Sequence, residues 1–168
     1  MSGLSADERI KLQRQCVDEH LRTESQGDWA ALYDTFVDAP DAVCEMIPLA
    51  TTFTMRQFYD VLQSAFAPPR FEVTGEYDVP GCSIREITIT LTHQGPGDFC
   101  GVPATGRQAT FEAAVFWLFD EDDPGRSVSE RGYFDNETVL RQLRGEPDVP
   151  AGIGLADRHR TTAPQPAG

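Results

Sequence analysis

Ile84–Arg107 reads IREITITLTHQGPGDFCGVPATGR, and this stretch decides the fold. Ile87, Ile89 and Leu91 alternate with Thr88, Thr90 and Thr92, the period of a half-buried strand. The alternation ends at a lone histidine, His93, and a glycine-rich loop follows. The loop closes on Pro103-Ala104-Thr105-Gly106-Arg107, where a second strand begins. That strand, Arg107 to Phe119, is the longest candidate and is apolar on both faces from Ala113 onward, as a central strand is. Two strands joined by such a loop predict a curved sheet with a pocket at one end.

Working outward, Glu121-Asp122-Asp123-Pro124-Gly125 is a hairpin turn, Val128 to Phe134 the returning strand and Asn136 to Arg144 a short last helix. On the other side, Phe71, Val73, Gly75, Tyr77 and Val79 alternate with polar residues up to a Pro80-Gly81 turn. Further back the period is helical. Ser5 with Glu8, and Thr54 with Gln57, each form a capping box, the second reinforced by a Phe53–Phe58 staple. The first helix runs to about Gln26 before Gly27, and the helix after Thr54 stops at Pro68-Pro69. Asp28 caps a short helix between them, and Val43 to Ile47 reads as a short strand.

Helices first and strands afterwards argue for an α+β fold. The hairpin-length connections predict an antiparallel, strongly curved sheet with the early helices on its concave face. That architecture is a cone with a pocket. Residues 1–146 are expected to form one domain, and 147–168, rich in Pro, Gly and Ala, a disordered tail that includes His159.

The net charge is −13, from 14 basic and 27 acidic residues among 168, which disfavours nucleic acid and anionic membranes as partners. Cys16, Cys44, Cys82 and Cys100 form no CxxC pair. The N-terminus lacks a signal-peptide core, and a cytoplasmic location with free thiols is the expectation. Gly95, Gly97, Gly101 and Gly106 fit no phosphate-loop spacing and precede a strand rather than a helix; positive φ values are the expected reason for them. No His or Cys spacing organises a metal site.

Thr92-His93-Gln94-Gly95, Gly101-Val102-Pro103-Ala104-Thr105-Gly106-Arg107, Glu130, Asp135 and Val139-Leu140-Arg141-Gln142-Leu143 together resemble the SnoaL-like polyketide cyclases of the NTF2-like superfamily of cone-shaped α+β barrels. The likeness runs from about residue 12 to 144. The resemblance implies an intramolecular aldol closure on a hydrophobic carbonyl substrate, without metal or organic cofactor. It places the catalytic acid/base on Asp135 and the pocket histidine on His93. Two departures stand out. Arg131-Gly132 follows Glu130 where the family has His-Trp, and Pro-Ala replaces Pro-Pro in the loop.

An apolar pocket would raise the pKa of a carboxyl towards working pH, and Phe111, Val115, Trp117 and Tyr133 are the side chains available to build one. By strand parity Asp135 shares a face with Arg131 and Tyr133, and those three are expected to meet one ligand. His93 shares a face with Ile87, Ile89 and Leu91 and would polarise the substrate carbonyl. Arg107 would bind an anionic group or brace the loop. Each site residue also has a structural reading: His93 as a packing residue at a strand end, and Asp135 as the N-cap of the last helix. The alternatives in function are an NTF2-like epoxide hydrolase or dehydratase, a non-catalytic ligand-binding or dimerisation module, and a scaffold that binds a basic partner. A homodimer through the convex sheet face, with Ala114, Phe116 and Leu118, is expected.

Overall fold

The computed structural model describes residues 3–37 and 42–147. Most of the expected tail, with His159, lies outside them. Helix α1 (Ala6–Gln26) starts at the Ser5–Glu8 capping box and stops at Gly27, whose φ of 70° lets the chain reverse. Helix α2 (Trp29–Tyr33) is capped by Asp28. Strand β1 (Val43–Met46), a 3-10 turn (Ile47–Leu49) and strand β2 (Thr51–Thr54) lead into helix α3 (Met55–Ala65). The Thr54–Gln57 box forms in full, and the Phe53 and Phe58 rings lie 6.0 Å apart in the staple. Strands β3 (Arg70–Val79), β4 (Cys82–Thr92), β5 (Gln108–Phe119) and β6 (Ser127–Phe134) follow, and helix α4 (Asn136–Arg144) closes the domain.

The six strands form one curved, open sheet in the order β2-β1-β6-β5-β4-β3. The expected all-antiparallel sheet is corrected at one pair. β1 lies parallel to β6, with Cys44 opposite Glu130 and Met46 opposite Gly132. The sheet is therefore mixed. Strand β2 was not anticipated either: its Thr-rich run reads only as the approach to a helix cap.

Strand β3 departs from its sequence pattern. A register shift between Val73 and Gly75 inserts a bulge against β4. Beyond it the parity reverses, so Tyr77 and Val79 are exposed. The Asp78 carboxylate turns inward instead, 3.0 Å from Arg85 and 2.6 Å from Arg14.

The loop of the opening stretch docks on the end of α3. Gly95 N–H donates to Ala65 O and Gly97 N–H to Ser64 O, which occupies carbonyls that the helix leaves free. A Cβ on Gly95 would stand 2.0 Å from Ser64 O. Close approach, rather than positive φ, is the reason for glycine there; positive φ is confined to Gly101 and Gly106 within this loop's glycines. At the far end of β5 the edge beyond Ala113 has no β6 partner. The Gln142 side chain takes that place, accepting from Thr110 N–H and donating to Thr110 O, both at 2.8 Å.

Candidate active site

The helices and the inner face of the sheet enclose a cavity of about 90 Å³, room for several waters or one slim ligand. Its wall is apolar: Leu21, Phe58, Ile89, Phe111, Trp117 and Phe134 are among the residues that line it. Two carboxylates interrupt that wall, Glu24 from α1 and Glu130 from β6.

Both follow from local geometry. On α1 the buried side carries Gln13, Cys16, Val17, His20, Thr23 and Glu24, spaced three or four apart. Glu24 therefore belongs to the face that packs inward. On β6 the inward side carries Glu130, Gly132 and Phe134, because Trp117 of β5 stands directly opposite Glu130.

His20, fully buried, lies between the two carboxylates. Its Nε2 is 3.5 Å from Glu24 Oε2 and 3.3 Å from Glu130 Oε2. The proton directions can be read from the neighbours. Thr35 Oγ1 donates to Leu32 O at 2.7 Å, so it accepts from His20 Nδ1–H at 3.1 Å. A neutral His20 then has a bare Nε2, to which the Tyr59 hydroxyl donates at 3.2 Å. A lone pair facing two ionised carboxylates would be repulsive, so the cluster must hold at least one shared proton. Burial determines where it rests. It pushes Glu24 up to about 8 and Glu130 up to about 7, the latter against a smaller pull from His20. Burial also lowers the His20 pKa, against the attraction of Glu130. The proton therefore resides on a carboxyl, and the imidazole stays neutral.

The structure brings together three of the residues expected at the pocket, Phe111, Val115 and Trp117, and places Tyr133, Asp135, Arg131, His93 and Arg107 outside the cavity wall. Asp135 is the N-cap of α4. Its Oδ1 accepts from Glu137 N–H and Thr138 N–H, and its Oδ2 from the Thr138 hydroxyl at 2.7 Å. Those bonds hold its pKa below the usual carboxylate range, the opposite of what a general acid/base needs. Arg131 and Tyr133 share its parity, and that parity faces outward. Arg131 Nε donates to Glu45 at 2.6 Å, and Tyr133 is exposed.

His93 is buried but lies outside the cavity wall. Its ring stacks 5.1 Å from Phe66, and its Nε2 is 3.3 Å from Gly97 O, which pins the loop. Arg107 donates to the carbonyls of Leu143 and Arg144 at the end of α4. It is a brace rather than an anion site. Gly132 makes room for Met46: a Cβ there would meet Met46 Sδ at 2.8 Å. Both residues line the cavity.

Glu24, His20 and Tyr59 were missed, and Glu130 was noted only as a motif residue. The available signal was on α1, where Gln13, His20 and Glu24 recur on one stripe with Val17. Titratable side chains on a buried stripe are uncommon and point to a polar site within the core. Among the described residues, no group of His, Cys, Asp or Glu is arranged to hold a metal ion. No helix there is long and apolar enough to cross a membrane.

No family model and no curated protein matches the sequence. Solved structures do resemble it. AclR of Streptomyces galilaeus, a candidate hydroxylase, is 21% identical with a TM-score of 0.67, covering 84% of this chain and 87% of AclR. IdmH of Streptomyces antibioticus, a candidate polyketide cyclase, is 22% identical with a TM-score of 0.61, covering 79% of this chain and 98% of IdmH. A candidate SnoaL-like polyketide cyclase of Jannaschia sp. CCS1 is 16% identical with a TM-score of 0.70, covering 86% of this chain and all of the other. An NTF2-like protein of unknown function from Burkholderia pseudomallei shares the fold at a TM-score of 0.62. The cone-shaped sheet, the helices on its inner face and these likenesses agree: the chain has the NTF2-like fold, in the form found among SnoaL-like polyketide cyclases.

Proposed function

We propose that the protein is a cyclase-like acid–base enzyme acting on a hydrophobic carbonyl compound, with Glu24 and Glu130 rather than Asp135 as its proton-handling groups. The observation that carries this reading is the pair of buried carboxylates, joined through His20, at an otherwise apolar cavity. An aldol closure or an isomerisation needs a base for the proton alpha to a carbonyl and an acid for the oxygen. Two carboxyls that share a proton near neutral pH supply one of each. His20 and Tyr59 are positioning residues: they fix where the proton sits. This chemistry draws on no organic cofactor.

Proton exchange tests it without knowledge of the natural substrate. The protein should accelerate exchange of the α-protons of indan-2-one into deuterated water, followed by proton NMR. Glu24→Gln and Glu130→Gln should each slow that exchange by about a hundredfold, while Asp135→Asn leaves it unchanged. Loss of exchange in the Asp135 variant alone would return the role to Asp135. A non-catalytic binding module is the other reading, and it predicts no acceleration at all.

The convex face supports a homodimer. Phe116 and Tyr133 pack edge-on there at 5.5 Å, beside exposed Tyr77 and Val79. Light scattering should give twice the mass of 18.6 kDa, and a monomer would remove this part of the reading.

A further inference from the structure

Met46 of β1 and Gly132 of β6 stand directly opposite each other in the parallel pair, and both line the cavity. A Cβ on Gly132 would meet two atoms at the tip of the Met46 side chain, Sδ at 2.8 Å and Cε at 3.2 Å. Apart from its chain neighbours, no other residue comes within 4 Å of that position. The thioether therefore rests on bare glycine backbone. Gly132 has no positive φ, so close approach is what glycine supplies there. On its other side Met46 belongs to a core cluster with Leu32, Cys44, Met55 and Tyr59, all fully buried. Packing of that kind leaves no room for a displaced side chain. The free volume beside Met46 is the cavity of about 90 Å³.

A methionine side chain is unbranched, has three rotatable bonds and fills irregular gaps in a core. Its seat here is a hollow one methyl deep. Filling that hollow would push the thioether into the cavity, the one side where space is free. Trimming the thioether would extend the cavity towards β1. We infer that Met46, seated on Gly132, is the specificity-determining residue of the cavity, and that the position of its thioether sets the breadth of the apolar body the cavity accepts. A single ring fits beside the thioether as it lies, and a fused pair of rings needs the thioether's own space. The inference rests on the reading of this cavity as the ligand site and adds to it a limit on ligand size. It asks nothing of Glu24, His20 or Glu130.

Toluene and naphthalene, one ring and two, are titrated calorimetrically into the full chain, and the ratio of their affinities is read. Met46→Ala should raise the preference for naphthalene by at least about tenfold, the value of two buried methylenes. Gly132→Ala should lower it by about as much, because the displaced thioether takes up cavity space. In the double variant the alanine at 132 has no thioether to displace, so its preference should match Met46→Ala within about threefold. Thermal melts establish that each variant is folded. Met46→Val, a smaller cut, replaces Met46→Ala if the latter does not fold, with a rise of at least about threefold expected. A ratio unchanged in a folded Met46 variant overturns the inference, as does strict additivity in the double variant. A wild-type chain that binds neither hydrocarbon overturns it together with the cavity as a ligand site. The indan-2-one exchange reports separately: exchange with unshifted ratios removes the size limit and keeps the chemistry, and shifted ratios without exchange do the reverse.

Discussion

His20 Nε2 of α1 lies 3.3 Å from Glu130 Oε2 of β6, with Glu24 Oε2 at 3.5 Å and the Tyr59 hydroxyl at 3.2 Å from the same nitrogen. Residues 110 positions apart in sequence are held at hydrogen-bond range because α1 lies across the inner face of the sheet. A nitrogen so placed governs the protonation of everything around it.

Stability should therefore depend on pH in a particular direction. Glu24 and Glu130 have folded pKa values of about 8 and 7, above the ordinary 4.5. Between those limits the folded state binds more protons than the unfolded one, so stability falls as pH rises. His20 acts oppositely: burial keeps it neutral, which costs stability as pH falls below 6.5. Above that point the carboxyls dominate, joined towards pH 8.5 by the thiols, whose burial raises their pKa and acts in the same direction. Melting temperature should drop by roughly 5 °C between about pH 6.5 and 8.5. The double variant Glu24→Gln, Glu130→Gln should flatten that slope. A wild-type profile that rises over this range would contradict the buried-carboxyl assignment.

Tyr59→Phe should change the pH profile more than the fold. It removes the hydroxyl that donates to Nε2 and leaves the ring packed among Trp29, Tyr33 and Phe58. With that donor gone, Nε2 competes better for the shared proton. The acidic limb of the indan-2-one exchange profile should shift by about half a unit or more. A uniform loss of rate with no shift would mean that Tyr59 only packs.

Asp135→Ala should cost about 1 kcal/mol of stability, as loss of an N-cap does. Chemical denaturation measures this. Exchange activity and probe binding should stay at wild-type levels, since the Asp135 carboxylate is spent on the first turn of α4.

Arg107 and Gly145 should prove coupled. Arg107 Nη1 donates to Leu143 O and Arg144 O, and a Cβ on Gly145 would stand 2.7 Å from the guanidinium carbon. Gly145 also has a φ of 74°. Arg107→Ala should cost about 1–2 kcal/mol, and Gly145→Ala at least about 1 kcal/mol. The double variant should cost less than the sum, because removing the guanidinium relieves the clash; strict additivity in denaturant melts would refute the contact.

What the sequence discloses here follows interaction range. Ser5 with Glu8, Thr54 with Gln57 and Gly27 sit within a turn of the backbone they cap, so their chemistry is legible locally. The alternation of β4 and β5 likewise reports burial directly. The parallel β1–β6 pair is settled by packing between distant segments, and nothing within Val43–Met46 specifies its neighbour. The bulge in β3 reverses parity halfway along and defeats a count by twos. On β6 the resemblance places the acid on Asp135, and parity groups Arg131 and Tyr133 with it. That grouping holds, but which face turns inward depends on the curvature of the whole sheet, and the inward residues are Glu130, Gly132 and Phe134. Glu24 escaped notice because a glutamate near the end of an amphipathic helix reads as solvated surface.

The amide of Gln142, seated on Thr110, has a meaning beyond the fold. An unpaired run of strand backbone invites a second molecule to add its own strand, the first step towards fibrils. Here one side chain occupies both the donor and the acceptor of Thr110, the place where an incoming strand would begin to pair. Gln142 thus blocks strand addition at the one part of the longest strand, residues 108–112, whose edge β6 leaves open.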